Sequence, residues 1–322
     1  MNPSTLGICP LRLRVAWLAG LLLCGLLVAC APTECEVVSH VTSAPTLTRV
    51  PATRTLDPTA TSTGTPPPPS ATPSPTMTTV PTAEPRRFTV AIDPGHGGID
   101  LGARRFGDDG RMVYHESTVN LELGLLVRDE LVRRGFQVVM TRDTDRTVLV
   151  GEEDVSGDGV FEYTQDETQA RVDLINNSGA DLILSIHHNA YEDPSGADVS
   201  EVGGIQTYYC ADRPFSDESY RFATLVHEHL IAAMRDYGYP IQDRGVLDDA
   251  ILVTPDSPGR HLILLGPESE RIVRPSEVPG ALSEPLFITH KEEGLLARDP
   301  AFLKALADAY AQAVEAYASG LP

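Results

Sequence analysis

The stretch that most constrains this chain is an apolar run, Phe88 to Ile92, that breaks at once into Asp93-Pro94-Gly95-His96-Gly97-Gly98. Pro94 fixes φ and lacks an N–H, and the three glycines admit φ values that other residues avoid. The run reads as a strand ending in a tight turn that presents His96 at the carboxyl edge of a sheet. In open α/β sheets that edge is where ligands bind. A histidine in a tight loop also has an ordinary structural reading, so its role depends on what the rest of the chain supplies.

Two later stretches supply it. His115-Glu116-Ser117-Thr118-Val119-Asn120 precedes an amphipathic run, and Leu182-Ile183-Leu184-Ser185-Ile186-His187-His188-Asn189-Ala190 is a buried-strand pattern ending in histidine. His96, Glu116 and His187 thus each stand at the end of an element. Two imidazoles and one carboxylate match a catalytic zinc site that leaves its fourth position to water.

Between these stretches, strands and helices alternate. Ser117 is placed to cap a helix running to Arg134, with Gly135 closing it. Phe136 to Thr141, Ala180 to His187 and Ile205 to Cys210 read as strands. Asp166-Glu167-Thr168-Gln169 reads as a capping box opening a helix. Ser216 begins a long helix that ends near Gly238, and short apolar runs follow at Ile251 to Val253 and Leu262 to Leu265. The last helix starts at Asp299-Pro300 and stops at Gly320. The pattern predicts an α/β fold: a mostly parallel twisted sheet with helices on both faces, forming a single catalytic domain over residues 88–320.

The chain has 322 residues and a formal net charge of −20, which argues against a nucleic-acid partner, since phosphate binding needs a basic face. Residues 1–29 read as a targeting segment, with Arg12 and Arg14 before an apolar run too short to span a membrane. That run ends in Leu27-Val28-Ala29-Cys30, which resembles a bacterial lipobox and implies lipidation of Cys30, hence export and a membrane anchor at the cell envelope. Residues 30–87, dominated by Thr, Pro, Ser and Ala, are too poor in apolar surface to fold and read as a disordered linker. Of the five cysteines, only Cys35 and Cys210 lie outside the leader and its acylation site, so no disulfide framework is expected. The absence of a CxxC pattern argues against thiolate zinc binding.

Four motifs resemble, in order, those of the zinc-dependent N-acetylmuramoyl-L-alanine amidases of the type-3 family. They are Asp93 to Gly98, Glu116 with Asn120, Ser185 to Ala190, and Leu282-Ser283-Glu284 followed by Pro285-Leu286-Phe287. The resemblance implies one zinc ion on His96, Glu116 and His187, with Glu284 as the acid–base residue and peptidoglycan as the substrate. It implies cleavage between N-acetylmuramic acid and L-alanine. Glu268, after the Leu264-Leu265 pair, is a rival carboxylate to Glu284. His188 alternates with His187 and is expected to line the cleft, and His115 to be a solvated neighbour of Glu116. His227-Glu228-His229 lacks the i, i+4 spacing of helical zinc motifs and reads as a polar helix face. Asp154, Ser156 and Asp158 open a calcium-loop pattern, but its twelfth position is Gln165 rather than an acid, so Ca2+ is a second, weaker metal expectation beside Zn2+. Two other functions fit the residues: a zinc peptidase acting on the stem peptide, and a wall-binding lipoprotein without turnover.

Overall fold

A computed structural model of the chain describes residues 87–253 and 260–321. The leader, Cys30, nearly all of the linker and residues 254–259 lie outside the described residues.

Strand β1 (Thr89–Pro94) is followed by a hairpin of β2 (Arg104–Phe106) and β3 (Met112–His115). Then come α1 (Glu116–Arg133), β4 (Gln137–Met140), α2 (Tyr163–Ser178), β5 (Leu182–Ile186) and β6 (Ile205–Tyr209). The chain continues through α3 (Ser216–Tyr237), β7 (Asp243–Asp248), a 3-10 turn at Asp249–Leu252 and β8 (Gly280–Glu284). It closes with α4 (Glu293–Leu296) and α5 (Pro300–Ser319). The main sheet has the order β4-β1-β5-β8-β6-β7. Its pairings are parallel except β6 against β8, so the expectation of a mostly parallel sheet holds.

Alternation along the central strands divides the core. Val90, Ile92, Leu182, Leu184 and Ile186 face α1, α3 and α5, where Leu123, Phe222, Leu306 and Tyr310 are fully buried. Ala91 and Ile183 point the other way, onto Val172 and Ile175 of α2 and onto Ile263, Leu264 and Ile272. Helices therefore cover both faces, but unequally. One face carries three long helices. The other is shared between α2 and an irregular segment after residue 260.

Helix ends follow their local chemistry. Asp299 accepts from the amides of Ala301 and Phe302, at 2.8 and 3.0 Å, directly before Pro300. Gly179 and Gly238 close α2 and α3 in the left-handed conformation at φ 72 and 96. Two starts differ from expectation. Helix α1 begins at Glu116, so Ser117 sits inside its first turn and its hydroxyl pairs with His115 Nδ1 instead of capping. Helix α2 begins at Tyr163: Glu162 accepts from Gln165 N, and Asp166 reaches back to Glu162 N. The helix therefore starts four residues upstream of its expected place, capped by Glu162 and Asp166 rather than by Asp166 and Gln169. The apolar runs at 251–253 and 262–265 do not form strands: Ile251 and Val253 are exposed around a 3-10 turn, while 262–265 pack as turn and coil against the sheet.

Candidate metal centre

The parallel pairing of β1, β5 and β8 brings three strand ends to one edge. Asp93 pairs in register with Ser185, and Ile186 with Ser283. The next residues out are therefore the His96 turn, His187 and Glu284. Gly95 N donates to Ile186 O at 2.9 Å, binding the turn to the end of β5. A Cβ on Gly95 would fall 2.1 Å from the His187 ring, so this close approach requires glycine. His96 itself has φ 60, the only positive φ of a non-glycine residue among the described residues. Such a conformation at a loop histidine marks a position whose geometry the surroundings enforce.

Helix α1 brings Glu116 into the same space at its first residue. Glu116 Oε2 lies 3.1 Å from His96 Nε2, and Oε1 lies 3.0 Å from His187 Nδ1. The three donor atoms form one group within metal-binding reach of one another. Behind them stands a supporting shell. Asp100 Oδ2 pairs with His96 Nδ1 at 2.7 Å, the carboxylate-behind-imidazole arrangement that orients metal-binding histidines. Asn120 and the amides of Ala103 and His188 donate to Glu116.

The electrostatics fit a cation. Burial pushes Glu116 upward, but hydrogen bonds from His187 and His96 outweigh it and hold the carboxyl well below its ordinary range. Burial likewise opposes a charged His96, yet Asp100 and Glu116 raise it to about 10. A buried carboxylate shared by two imidazoles holds positive charge strongly at this point. A divalent ion would take the place of the imidazole protons.

Glu284 stands across from this group. Removal from solvent, and then the charge of Glu116, push it up to about 8, while His96 pulls the other way. Asn189, also bonded to Gln206, donates to Glu284 Oε2 and fixes the carboxyl. Glu268, the rival carboxylate, is exposed on the irregular segment.

Two arginines that sequence patterns give little reason to single out hold the site. Arg142 is fully buried and donates to Pro94 O, Gly95 O and Ser117 O at 2.8, 2.9 and 2.8 Å. Arg171 bridges Asp93 and Glu167, at 2.9 and 2.8 Å, and donates to His96 O at 2.6 Å. Together they tie the β1 turn to α1, α2 and β4. Asp100, four residues beyond His96, is a partner that sequence spacing alone is able to flag.

A match to the family model described as N-acetylmuramoyl-L-alanine amidase runs over residues 90–316. The chain belongs to that family. Among relatives of this amidase, the germination-specific N-acetylmuramoyl-L-alanine amidase of Bacillus subtilis is 37% identical over 123 residues, which is 37% of this chain and 44% of that protein. The AmiA amidase of Escherichia coli is 25% identical over 248 residues, covering 71% of this chain and 75% of the relative. Among solved structures, the CwlD amidase of Clostridioides difficile, in complex with the GerS lipoprotein, covers 72% of this chain and 98% of its own at TM-score 0.53 and 23% identity, a likeness of fold.

Several neighbouring residues of the amidase depart from expectation. His188 does not line the cleft: it is buried, its Nδ1 pairs with Asn120 at 2.8 Å, and burial lowers it to about 4, leaving a neutral ring. His115 is half-buried and bonded to Ser117 and Thr118 rather than freely solvated. His227 leaves the polar helix face to bond Thr207 and Asp243 in a buried position. Asp154, Ser156 and Asp158 form a self-closing turn. Asp154 accepts from the amides of Gly157, Asp158 and Gly159 and from the Ser156 hydroxyl, and Asp158 from Val160 N. These bonds account for the Asp and Gly spacing without calcium, and nothing in the fold supports Ca2+ there.

Proposed function

We propose that this chain is a zinc-dependent amidase that cleaves the bond between the lactyl group of N-acetylmuramic acid and L-alanine in peptidoglycan. The observation that carries this reading is the convergence of His96 Nε2, Glu116 and His187 Nδ1 on one point, with Glu284 near enough to feel the charge of Glu116. Those three would hold one zinc ion. Zinc in such a site supplies Lewis acidity at the amide carbonyl and a water of low pKa. The rest falls to the chain itself. Asp100 and Asn120 keep His96 and Glu116 in orientation. The cleft wall, with Tyr163, Leu264 and Leu282, packs against the substrate. Glu284, poised near neutrality and held through Oε2 by Asn189, takes the proton of the attacking water on Oε1 and returns it to the departing amine.

The proposal includes the leader: residues 1–29 direct export, Cys30 carries lipid, and residues 30–87 tether the domain within the wall. It rests on the lipobox-like Leu27 to Cys30 and on the linker composition. Among the described residues no helix is long and apolar enough to cross a membrane.

Mass spectrometry of digested wall tests the reaction. Purified protein should release intact stem peptides with a free L-alanine amine from glycan strands that keep N-acetylmuramic acid. Chelation should stop the release, and zinc should restore it. Products cut within the stem peptide would replace the amidase reading with a peptidase one. Digestion unaffected by chelation would remove zinc from the mechanism.

A further inference from the structure

A second group of mixed donors lies at the opposite edge of the sheet, because β6 runs antiparallel to β8. Cys210 follows the carboxyl end of β6. Asp249 opens the 3-10 turn directly after β7, which pairs parallel with β6. His261 approaches from the irregular segment. Against the expectation drawn from the missing CxxC pattern, we propose that Cys210, Asp249 and His261 form a second metal site, one for a thiophilic divalent cation of the zinc type.

The geometry is that of a ligand set. The thiol, carboxylate and imidazole atoms lie within 4.8 Å of one another, and all three residues are buried. Asp249 Oδ1 lies 2.8 Å, and Cys210 Sγ 3.7 Å, from the same atom, His261 Nδ1. Asp249 Oδ2 accepts from Leu262 N at 2.9 Å, which fixes the carboxyl toward the group. Behind the imidazole, His261 Nε2 faces Asp212 Oδ2 at 3.8 Å, the direction from which a carboxylate orients a metal-bound histidine.

The charge balance points the same way. Asp249 is fully buried, and a buried carboxylate is costly unless a positive partner meets it; His261 meets it at Oδ1, and a divalent ion between them would supply that charge without a protonated imidazole. The guanidinium closest in sequence to Cys210, Arg213, turns its amines to the carbonyls of Gly266 and Ser276 instead. Cys210 packs with Tyr208, Leu265 and Leu282, so its sulfur is shielded from solvent and carries no disulfide. One sulfur, one nitrogen and one oxygen donor suit a borderline-soft ion such as zinc far better than calcium or magnesium. A cation here would join the end of β6, the turn after β7 and the segment that begins the cleft wall, since Arg260 to Leu264 line the cleft that reaches His96 and His187.

Sulfur distinguishes this site from the first, whose donors are nitrogen and oxygen only. The test uses the full chain, stripped of metal and refilled with Co2+. The parent should bind two cobalt ions and show a thiolate-to-cobalt charge-transfer band in the near ultraviolet. The double variant His96→Ala/His187→Ala should keep one ion and the whole band. Cys210→Ser should keep one ion and lose the band. A double variant that binds no cobalt overturns the proposal. So does a band that survives in Cys210→Ser, which would place the thiolate on another cysteine.

Discussion

Replacing Arg171 by methionine should destabilise the domain in a pH-dependent way. The methionine fills much of the same volume but leaves Asp93 and Glu167, both buried, without their cation. Removing one partner of a buried ion pair costs about 3–5 kcal/mol. For a domain of this size each kcal/mol moves Tm by about 2–4 °C, so a fall on the order of 10 °C is expected. The hydroxyls of Thr141 and Ser185 still donate to Asp93, which favours the lower end. The pH dependence follows from Asp93. Burial pushes its carboxyl up, and Arg171 is the main influence that brings it below its ordinary 3.8. In the parent, Asp93 therefore contributes stability that is present above that value and lost as pH falls below it. In the variant burial is no longer offset by Arg171, so the carboxyl titrates higher than in the parent and Asp93 contributes less stability as pH rises. The gap between parent and variant should widen as pH rises from below 3.8 toward neutrality, by about 1.4 kcal/mol per unit of pKa difference. Urea unfolding across that range measures it. A penalty independent of pH, or one below about 1 kcal/mol, would refute the argument that Arg171 holds the His96 turn through charge. Asp93→Asn in the Arg171→Met background should recover part of the loss.

Other substitutions probe the site and its surroundings. Glu284→Gln should retain zinc and fold while lowering turnover by about 10²–10⁴, and Glu268→Gln should do far less; the reverse order would move the acid–base role to Glu268. Gly95→Ala forces the His187 ring aside and should lower activity by about 10²-fold with the sheet intact, checked by kinetics beside far-ultraviolet circular dichroism. Glu293 clamps Gly204 N and Phe287 N, and burial raises it to about 7. Its contribution to stability is full below its ordinary 4.5 and is lost as pH rises through 7, a change of up to about 3 kcal/mol. In Glu293→Gln that slope between pH 5 and 8 should vanish from the urea midpoints.

Legibility in the sequence tracked how much of the physics was local. The strands β1 and β5 are mostly apolar runs buried on both faces, and the cap at Asp299-Pro300 is local chemistry, so both can be read directly. The short strands β2 and β3 and the charged edge strand β7 lack an apolar pattern, because their outer sides meet solvent. The run Leu262 to Leu265 is apolar because it covers a sheet face, not because it joins the sheet. His96, Glu116, His187 and Glu284 were readable from motif order, and the fold brings them together. Arg142 and Arg171 are not, since buried arginines are rare and their partners, backbone carbonyls for Arg142 and the Asp93 and Glu167 carboxylates with two carbonyls for Arg171, are set by tertiary contacts. His188 escapes sequence reasoning because its burial and its bond to Asn120 come from packing against a different element.

The donors of the first centre come from three separate stretches, with Glu116 and His187 71 positions apart. No short piece of the unfolded polypeptide can assemble them, unlike a motif carried on one helix turn. An ion held there closes long loops and binds the native state almost exclusively. Its affinity therefore becomes folding free energy, about 4 kcal/mol at a thousandfold excess over Kd. Chelation should then lower the melting temperature as well as stop turnover, and the resistance of the domain to proteolysis should track the free zinc concentration around it.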